Sequence, residues 1–236
     1  MYCSIHTNAE TKLSCTRCGR PACSDCLIPA SVGFHCRECV GSQPVIKVKR
    51  QSNPITLLLV GISVVGYLLQ TQINLFELKY MLIGDGTQYF LFPFDGGVYR
   101  GEYFRIFTVV LVHGGTLHLL SNMFALWVTG TQLERVVGKL RLILIYVISL
   151  VGGSLASLLL GAPGQASVGA SGAIFGLFGA TLIVTRKFGG STSSMYSVIG
   201  VNLVLGFLLP NVDWHAHVGG LAAGCLAALA LMPKRR

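Results

Sequence analysis

Charge is scarce in this chain. Of 236 residues only 11% are charged and just nine are acidic, against roughly 25% charged in ordinary soluble domains. That scarcity excludes a conventional water-soluble domain. With 52% hydrophobic residues and a mean hydropathy of +0.64, the composition is that of a membrane protein. Acids are missing from the apolar runs, where Asp213 stands only at a boundary, and no inverted repeat is evident. Both absences argue against a small transporter or channel. Beyond residue 41 the sequence has one cysteine, Cys225, which reads as ordinary packing in an apolar helix. No secretory signal peptide is expected, because the N-terminal stretch is polar and the first apolar run begins near Ile55. The net charge of +9 comes from Lys and Arg in short clusters between apolar runs. That is a topology signal, not a phosphate-binding face, so no nucleic-acid partner is expected.

What the chain does contain begins with seven of its eight cysteines, all in residues 1–41. They form four pairs of one spacing: Cys3 with His6, Cys15 with Cys18, Cys23 with Cys26, and Cys36 with Cys39. Two ligands separated by two residues can point at one metal across a tight turn, so four pairs make two tetrahedral sites. The segment has few large apolar residues, and metal binding would supply its folding free energy. His6 and the even pairing favour zinc over an iron–sulfur cluster. The layout resembles a B-box-type zinc finger over nearly the whole segment. In that family the first pair shares a metal with the third and the second with the fourth. The resemblance implies one site of Cys3, His6, Cys23 and Cys26 and another of Cys15, Cys18, Cys36 and Cys39. His35 adjoins Cys36 and is an alternative ligand, although the regular spacing favours Cys36.

A basic linker at 42–54 leads to six apolar runs, at about Ile55–Gln72, Thr116–Gly130, Leu140–Leu160, Ser171–Thr185, Met195–Leu209 and Asp213–Met232. Residues Arg105–Val112 are expected to enter the membrane as well. Several runs fall short of the roughly 20 residues a simple span needs. Between the first two lies Asn74–Tyr103, rich in aromatics (Phe76, Tyr80, Tyr89, Phe90, Phe92, Phe94, Tyr99 and Tyr103), as at a membrane–water interface. With the N-terminus inside, the inner connections carry Arg135, Lys139 and Arg141, then Arg186 and Lys187, and the tail at 233–236 adds Lys234, Arg235 and Arg236. The outer loops, 161–166 and 210–212, carry no Lys or Arg. Both termini, and the zinc module, are therefore expected in the cytoplasm, with the plasma (inner) membrane of a prokaryote as the expected site.

Four polar side chains inside the apolar runs stand out: His118, Asn122, Ser171 and His217. Polar groups there are expensive and suggest function. Ser171 sits among small residues in Val168–Ala180 and opens a helix, whose first amides lack intrahelical partners and favour an oxyanion. His118 and Asn122, four apart, share a helix face. If successive spans alternate in direction, all four residues lie at the same depth toward the outer side. Together they supply a nucleophile, a base and oxyanion donors. Any one of them alone reads as interhelical glue. Small residues recur every four positions at Gly172, Gly176 and Ala180 and again at Ala216, Gly220 and Gly224. Such stripes allow the close helix approach that a Ser171–His217 hydrogen bond needs. His113 and His215 are competing histidines. His113 lacks a polar partner four residues away and reads as structural. His215 points to a different side of its helix from His217.

Residues from about Ile55 to Met232 resemble the rhomboid intramembrane serine proteases. The motifs that carry the resemblance are Gly169-Ala170-Ser171-Gly172, His118 with Asn122, His217 with Gly220, Leu221 and Gly224, and Glu134 with Gly138. The resemblance implies an all-α membrane protein, a six-transmembrane-helix bundle over 55–232, joined here to the double zinc-binding module of 1–41. It also implies a Ser171–His217 dyad without an aspartate. Oxyanion donors would be His118, Asn122 and the Ser171 amide, and Phe175 would stack on the histidine where tyrosine is commoner. Phe104-Arg105 stands where Trp-Arg is typical. The implied function is an intramembrane endopeptidase cutting transmembrane helices of single-span membrane proteins near the outer face. No cofactor would take part in catalysis. The module, on the cytoplasmic side and joined by a linker without an apolar face, is expected to bind a cytosolic partner or a substrate's cytoplasmic tail. The alternative is a catalytically silent relative that binds membrane clients. Such relatives typically lack the serine or the histidine, and both are present here.

Overall fold

In the computed structural model the chain divides into two compact units, Met1–Arg50 and Gln51–Arg236. The structure describes residues 1–30, 33–41, 52–89, 91, 93–209 and 212–232. The expected linker at 42–54 lies outside them except for its last three residues, as do the tail 233–236, Phe90 and Phe92, and two residues of the outer loop 210–212.

The N-terminal unit holds a two-stranded antiparallel sheet, β1 (Leu27–Pro29) with β2 (Phe34–Cys36), in register Leu27 with Cys36. A short helix, α1 (Arg37–Gly41), follows. Its buried apolar groups are mostly cysteines: Cys3 and Cys26 pack around Ala22, while Cys15, Cys36 and Cys39 form a second cluster. Leu27 borders both clusters. Two such small clusters cannot hold a chain of this length by burial alone.

The second unit is helical. Pro54 opens α2 (Pro54–Gln72) at the first helical position, where its missing N–H costs nothing. The aromatic stretch that follows holds, among the described residues, only the short α3 (Phe76–Tyr80) and 3-10 turns at Gly86–Gln88 and Val98–Arg100. One fully buried arginine organises it. Arg105 donates to Glu102 Oε2 at 2.7 Å and to the carbonyls of Leu78 and Met81 at 2.7 and 2.9 Å. Glu102 also accepts from the Gly97 amide at 2.6 Å. Burial pushes the Glu102 carboxyl up, but that amide and Arg105 outweigh it and hold the group below its ordinary value.

Arg105 also starts α4 (Arg105–Thr108), and after a 3-10 turn the chain bends by 102° into α5 (Thr116–Val137). This helix outruns the expected Gly130 by seven residues and takes in Arg135. Gly138, at φ +84°, is the single joint between it and α6 (Lys139–Leu160). Then come α7 (Ser171–Lys187), α8 (Ser193–Leu208) and α9 (Trp214–Leu231). By length and apolarity α2, α6 and α9 can each cross a bilayer, and the bent pair Arg105–Leu111 with α5 makes a fourth. At 17 and 16 residues, α7 and α8 reach only about 25 Å.

The core lies where α9 packs on α6 and α7. The glycine stripes set that approach. A Cβ at Gly220 would strike the Gly172 carbonyl, and one at Gly224 the Gly176 carbonyl. A third contact lies on α6, where a Cβ on Gly153 would stand 2.8 Å from the Ala216 carbonyl. Only backbone-to-backbone packing of this kind fits there. By contrast α8 buries little beyond Ile199 and Gly206.

Candidate active site

Ser171 is the first residue of α7, and the loop leading into it is fixed from two sides. Ser167 pairs with Leu82 through both backbone bonds, at 3.0 and 2.8 Å, and the Gly169 amide donates to the Val109 carbonyl at 3.0 Å. At Gly169 φ is +105°, and a Cβ would lie 2.9 Å from His118 Cε1, 3.0 Å from its Nε2 and 3.2 Å from Asn122 Nδ2. Only glycine serves at this position. Two residues before the serine, the backbone thus rests directly on the His118 and Asn122 side chains of α5.

Those side chains present donors. His118 Nδ1 accepts from the Gly114 amide at 3.3 Å, so the neutral ring carries its proton on Nε2, the atom that meets Gly169. Asn122 is buried, and its Nδ2 has no protein acceptor among the described residues. A buried amide with spare donor capacity is unusual in a finished core. It fits a group kept for something that arrives.

His217 enters from the first turns of α9. Its Nε2 lies 2.9 Å from Ser171 Oγ. Phe175, one turn beyond the serine, stacks on the imidazole with ring centres 4.2 Å apart and planes 10° from parallel. On the far edge His217 Nδ1 faces Gly206 of α8, where a Cβ would come within 3.3 Å. The serine is half-buried and the histidine nearly covered, at 7% exposure. A hydroxyl, a base in contact with it, and donors beside the preceding loop make an arrangement suited to acyl transfer.

The competing histidines make other contacts. His215 stacks on Trp214 at 3.8 Å and sits 3.6 Å from Asp213 Oδ1, while the partner of Ser171 Oγ is His217. His113 is fully buried, edge-on to Tyr67 and to His118 with ring centres 6.4 and 5.4 Å away. Its backbone is clasped by the Gln70 amide, which accepts from His113 N at 2.9 Å and donates to its carbonyl at 3.0 Å. Cys225 abuts Gly179 of α7, where a Cβ would lie 2.7 Å from its Sγ.

Three roles escaped the sequence reading. Glu134, buried at the end of α5, accepts from the amides of Ile55 and Thr56 at 3.2 and 2.9 Å and from the Thr56 hydroxyl at 2.8 Å. It caps α2 from another helix. Arg105 anchors the aromatic stretch, and a lone arginine in an apolar run was the available signal. Asp213 caps α9, its Oδ1 accepting from the Ala216 amide at 3.1 Å, as an acid before an apolar run suggests.

In the N-terminal unit the eight ligand candidates gather into two groups, Cys3, His6, Cys23 and Cys26, and Cys15, Cys18, Cys36 and Cys39. Within each group the ligand atoms all lie within 4.8 Å of one another. Cys36 belongs to its group and His35 does not. The His6 amide points at Cys3 Sγ (3.4 Å) and the Cys36 amide at Cys15 Sγ (3.3 Å). Such amides favour thiolates. The His6 and Cys23 amides lower Cys3 to about 6, and burial raises Cys26 to about 11. Three thiols with an imidazole in one group and four thiols in the other, crowded this closely, fit a cation that neutralises the thiolates, so each group can hold a metal ion.

Comparison with known proteins bears on the helical unit. The family described as Rhomboid domain matches residues 100–234, more than half of the chain. The chain is 43% identical over 141 residues to Rhomboid protease GluP of Bacillus subtilis (strain 168), covering 57% of this chain and 27% of that protein. It is 41% identical over 143 residues to RHOMBOID-like protein 1 of Arabidopsis thaliana, covering 57% and 36%. RHOMBOID-like protein 5 of the same plant is also 41% identical over 143 residues, covering 57% and 46%. The chain spans from about a quarter to just under half of the length of these relatives. An integral membrane protein with apolar, bilayer-length helices and a serine at the head of α7, the chain belongs to the rhomboid family.

Proposed function

We propose that this protein is an intramembrane serine endopeptidase in which Ser171 and His217 act as a dyad. The observation that carries the reading is the 2.9 Å contact between His217 Nε2 and Ser171 Oγ. It lies beside a loop resting on two donor side chains. In the proposed reaction Ser171 Oγ attacks the scissile carbonyl carbon as its proton passes to His217 Nε2. The oxyanion that forms accepts hydrogen bonds from the Ser171 amide, His118 Nε2–H and Asn122 Nδ2. The tetrahedral adduct then collapses, and His217 returns the proton to the departing amine. Water, activated by the same imidazole, hydrolyses the acyl-enzyme.

In this reading α2, the bent pair ending in α5, α6, α7, α8 and α9 make six spans. The short α7 starts within the membrane, so that Ser171 lies toward the outer face. Substrates are transmembrane helices of single-span proteins, with small residues at the cut and helix-weakening residues nearby. Both termini are cytoplasmic, in the plasma membrane of a prokaryote. Two structural zinc ions fill the cysteine groups, and the N-terminal unit binds a cytosolic protein partner. Both groups have four ligands and no open position, so the metals have no part in hydrolysis. A silent client-binding relative is the weaker reading, because Ser171 and His217 are present and in contact.

A fluorophosphonate probe tests the proposal. Covalent labelling of the detergent-solubilised protein that vanishes in Ser171→Ala is the expected result. Equal labelling of both proteins, or none of either, would overturn it.

A further inference from the structure

We propose that Gln70 of α2 is a positioning residue for the oxyanion donor His118, acting through the peptide unit that joins His113 to Gly114. The inference rests on the reading above, in which His118 Nε2–H is one of the donors to the oxyanion, and deepens it.

The bend of 102° before α5 leaves His113 and Gly114 between helices, so no helical ladder serves their backbone groups. Buried backbone groups in such a corner need partners from elsewhere. One face of α2 supplies them. At Gly66 a Cβ would stand 2.6 Å from the Leu111 carbonyl, so a glycine lets α2 come this close. One turn on, Gln70 pairs with His113 as a second peptide group would. Its Oε1 accepts from the His113 amide at 2.9 Å, and its Nε2 donates to the His113 carbonyl at 3.0 Å. A backbone amide only donates and a carbonyl only accepts, so the two bonds together fix which way the Gln70 amide is turned. Tyr67, three residues earlier on the same face, holds the far end of the corner. Its hydroxyl lies 3.0 Å from Thr116 Oγ1 at the start of α5.

The His113 carbonyl and the Gly114 amide belong to one planar peptide, and it is trans. Its C=O and N–H therefore point in opposite directions. Gln70 grips one edge of this rigid plate, and the other edge aims the Gly114 N–H at His118 Nδ1, 3.3 Å away. That N–H is what keeps the His118 proton on Nε2, the atom beside Gly169. With the plate free to turn, Nδ1 loses its donor. The other tautomer then offers the oxyanion a lone pair in place of a proton. The bonds also run in one sense, from Gln70 Nε2–H through Gly114 N–H to His118 Nε2–H, so each donor is polarised by the one before it. The His113 imidazole packs edge-on to His118, but neither of its nitrogens has a hydrogen-bonding partner among the described residues. It is the backbone of His113 that carries the relay. Gln70 Nε2 also lies 3.3 Å from Glu77 Oε2, a contact outside it.

A double-mutant cycle tests the inference. Gln70→Met keeps the length of the side chain and removes both bonds to His113. Its kcat on a transmembrane substrate should fall about tenfold, less than the outright loss of an oxyanion donor, with KM unchanged. A peptide aldehyde forms a tetrahedral adduct whose oxyanion sits in the same hole, and its inhibition constant should rise by about the same factor. In a His118→Ala background, Gln70→Met should change neither quantity by more than about twofold. If Gln70→Met does not fold, Gln70→Glu serves in its place, keeping an acceptor for the His113 amide and losing the donor to the carbonyl. A folded variant with wild-type kcat and aldehyde affinity would overturn the inference. Equal losses in the two backgrounds would overturn it too, since that is what a purely structural clasp produces. Wild-type kcat in His118→Ala alone would instead remove His118 from the oxyanion hole, and this inference with it.

Discussion

Ser171 is presented by what stands on either side of it. Ahead of it Gly169 tolerates φ +105° and contact with two side chains. Behind it Phe175 flattens the imidazole of His217 against its own helix. Removing either member of the dyad should abolish cleavage: Ser171→Ala and His217→Ala are expected to be inactive on a transmembrane substrate in detergent. His215→Ala should retain most activity, since His215 packs on Trp214 and not on the serine. Asn122→Ala should fold and bind substrate yet turn over more slowly. Loss of one oxyanion donor costs roughly 2.7–4 kcal/mol, or about 10²–10³ in kcat, with compensation from His118 Nε2 and the Ser171 amide. An unchanged kcat would make Asn122 a structural hydrogen-bonding group. These residues could be read from the sequence because polar groups are conspicuous in apolar helices. Asp213 and Glu134 were harder to read. Each sits at a helix boundary, where acids are ordinary, and its partners are backbone amides that no sequence pattern displays.

At the scale of the helix, α7 and α9 act as one piece because their glycines let carbonyl oxygens into the space side chains would fill. The four-residue spacing of small residues announced that contact in advance. What it did not announce was α6 as a third participant, since Gly152 and Gly153 meet α9 through Ala223 and the Ala216 carbonyl without forming a stripe. Gly220→Ala would drive a methyl into the Gly172 carbonyl, an overpacking expected to cost about 1–3 kcal/mol. Spreading the helices also lengthens the Ser171–His217 contact. Activity should therefore fall further than the thermal midpoint alone explains. The control is Gly200→Ala on α8, where an added Cβ meets nothing within 4 Å; both its melting and its activity should match wild type. The length of α5 was misjudged for a physical reason. Gly130 reads as a stop, but it packs against Thr56, where a Cβ would approach Cγ2 to 2.9 Å, and the helix continues past it.

For the whole molecule, the division into two units carries its own prediction. A chain starting at Val45 should lose about two zinc ions by elemental analysis, one for each cysteine group, and keep its activity on a minimal transmembrane substrate. Loss of that activity in a folded, monodisperse truncation would show that the N-terminal unit is coupled to catalysis. The ligand candidates were legible because the spacing repeats four times, and the resemblance to a B-box implied how the pairs combine. The apolar runs, by contrast, gave the order of the helices but not the bend before α5. Glu134 has a further consequence, in time. The amides of Ile55 and Thr56 wait for a carboxylate 79 and 78 residues downstream. At roughly 5–20 residues per second of synthesis, that interval lasts about 4–16 s. Over those seconds α2 emerges with its first turn uncapped, and its N-terminus must be satisfied by water or lipid headgroups. The α2–α5 clasp is thus a late event of biogenesis. Closing it requires that the stretch between the two helices in sequence, Arg105 included, be synthesised first.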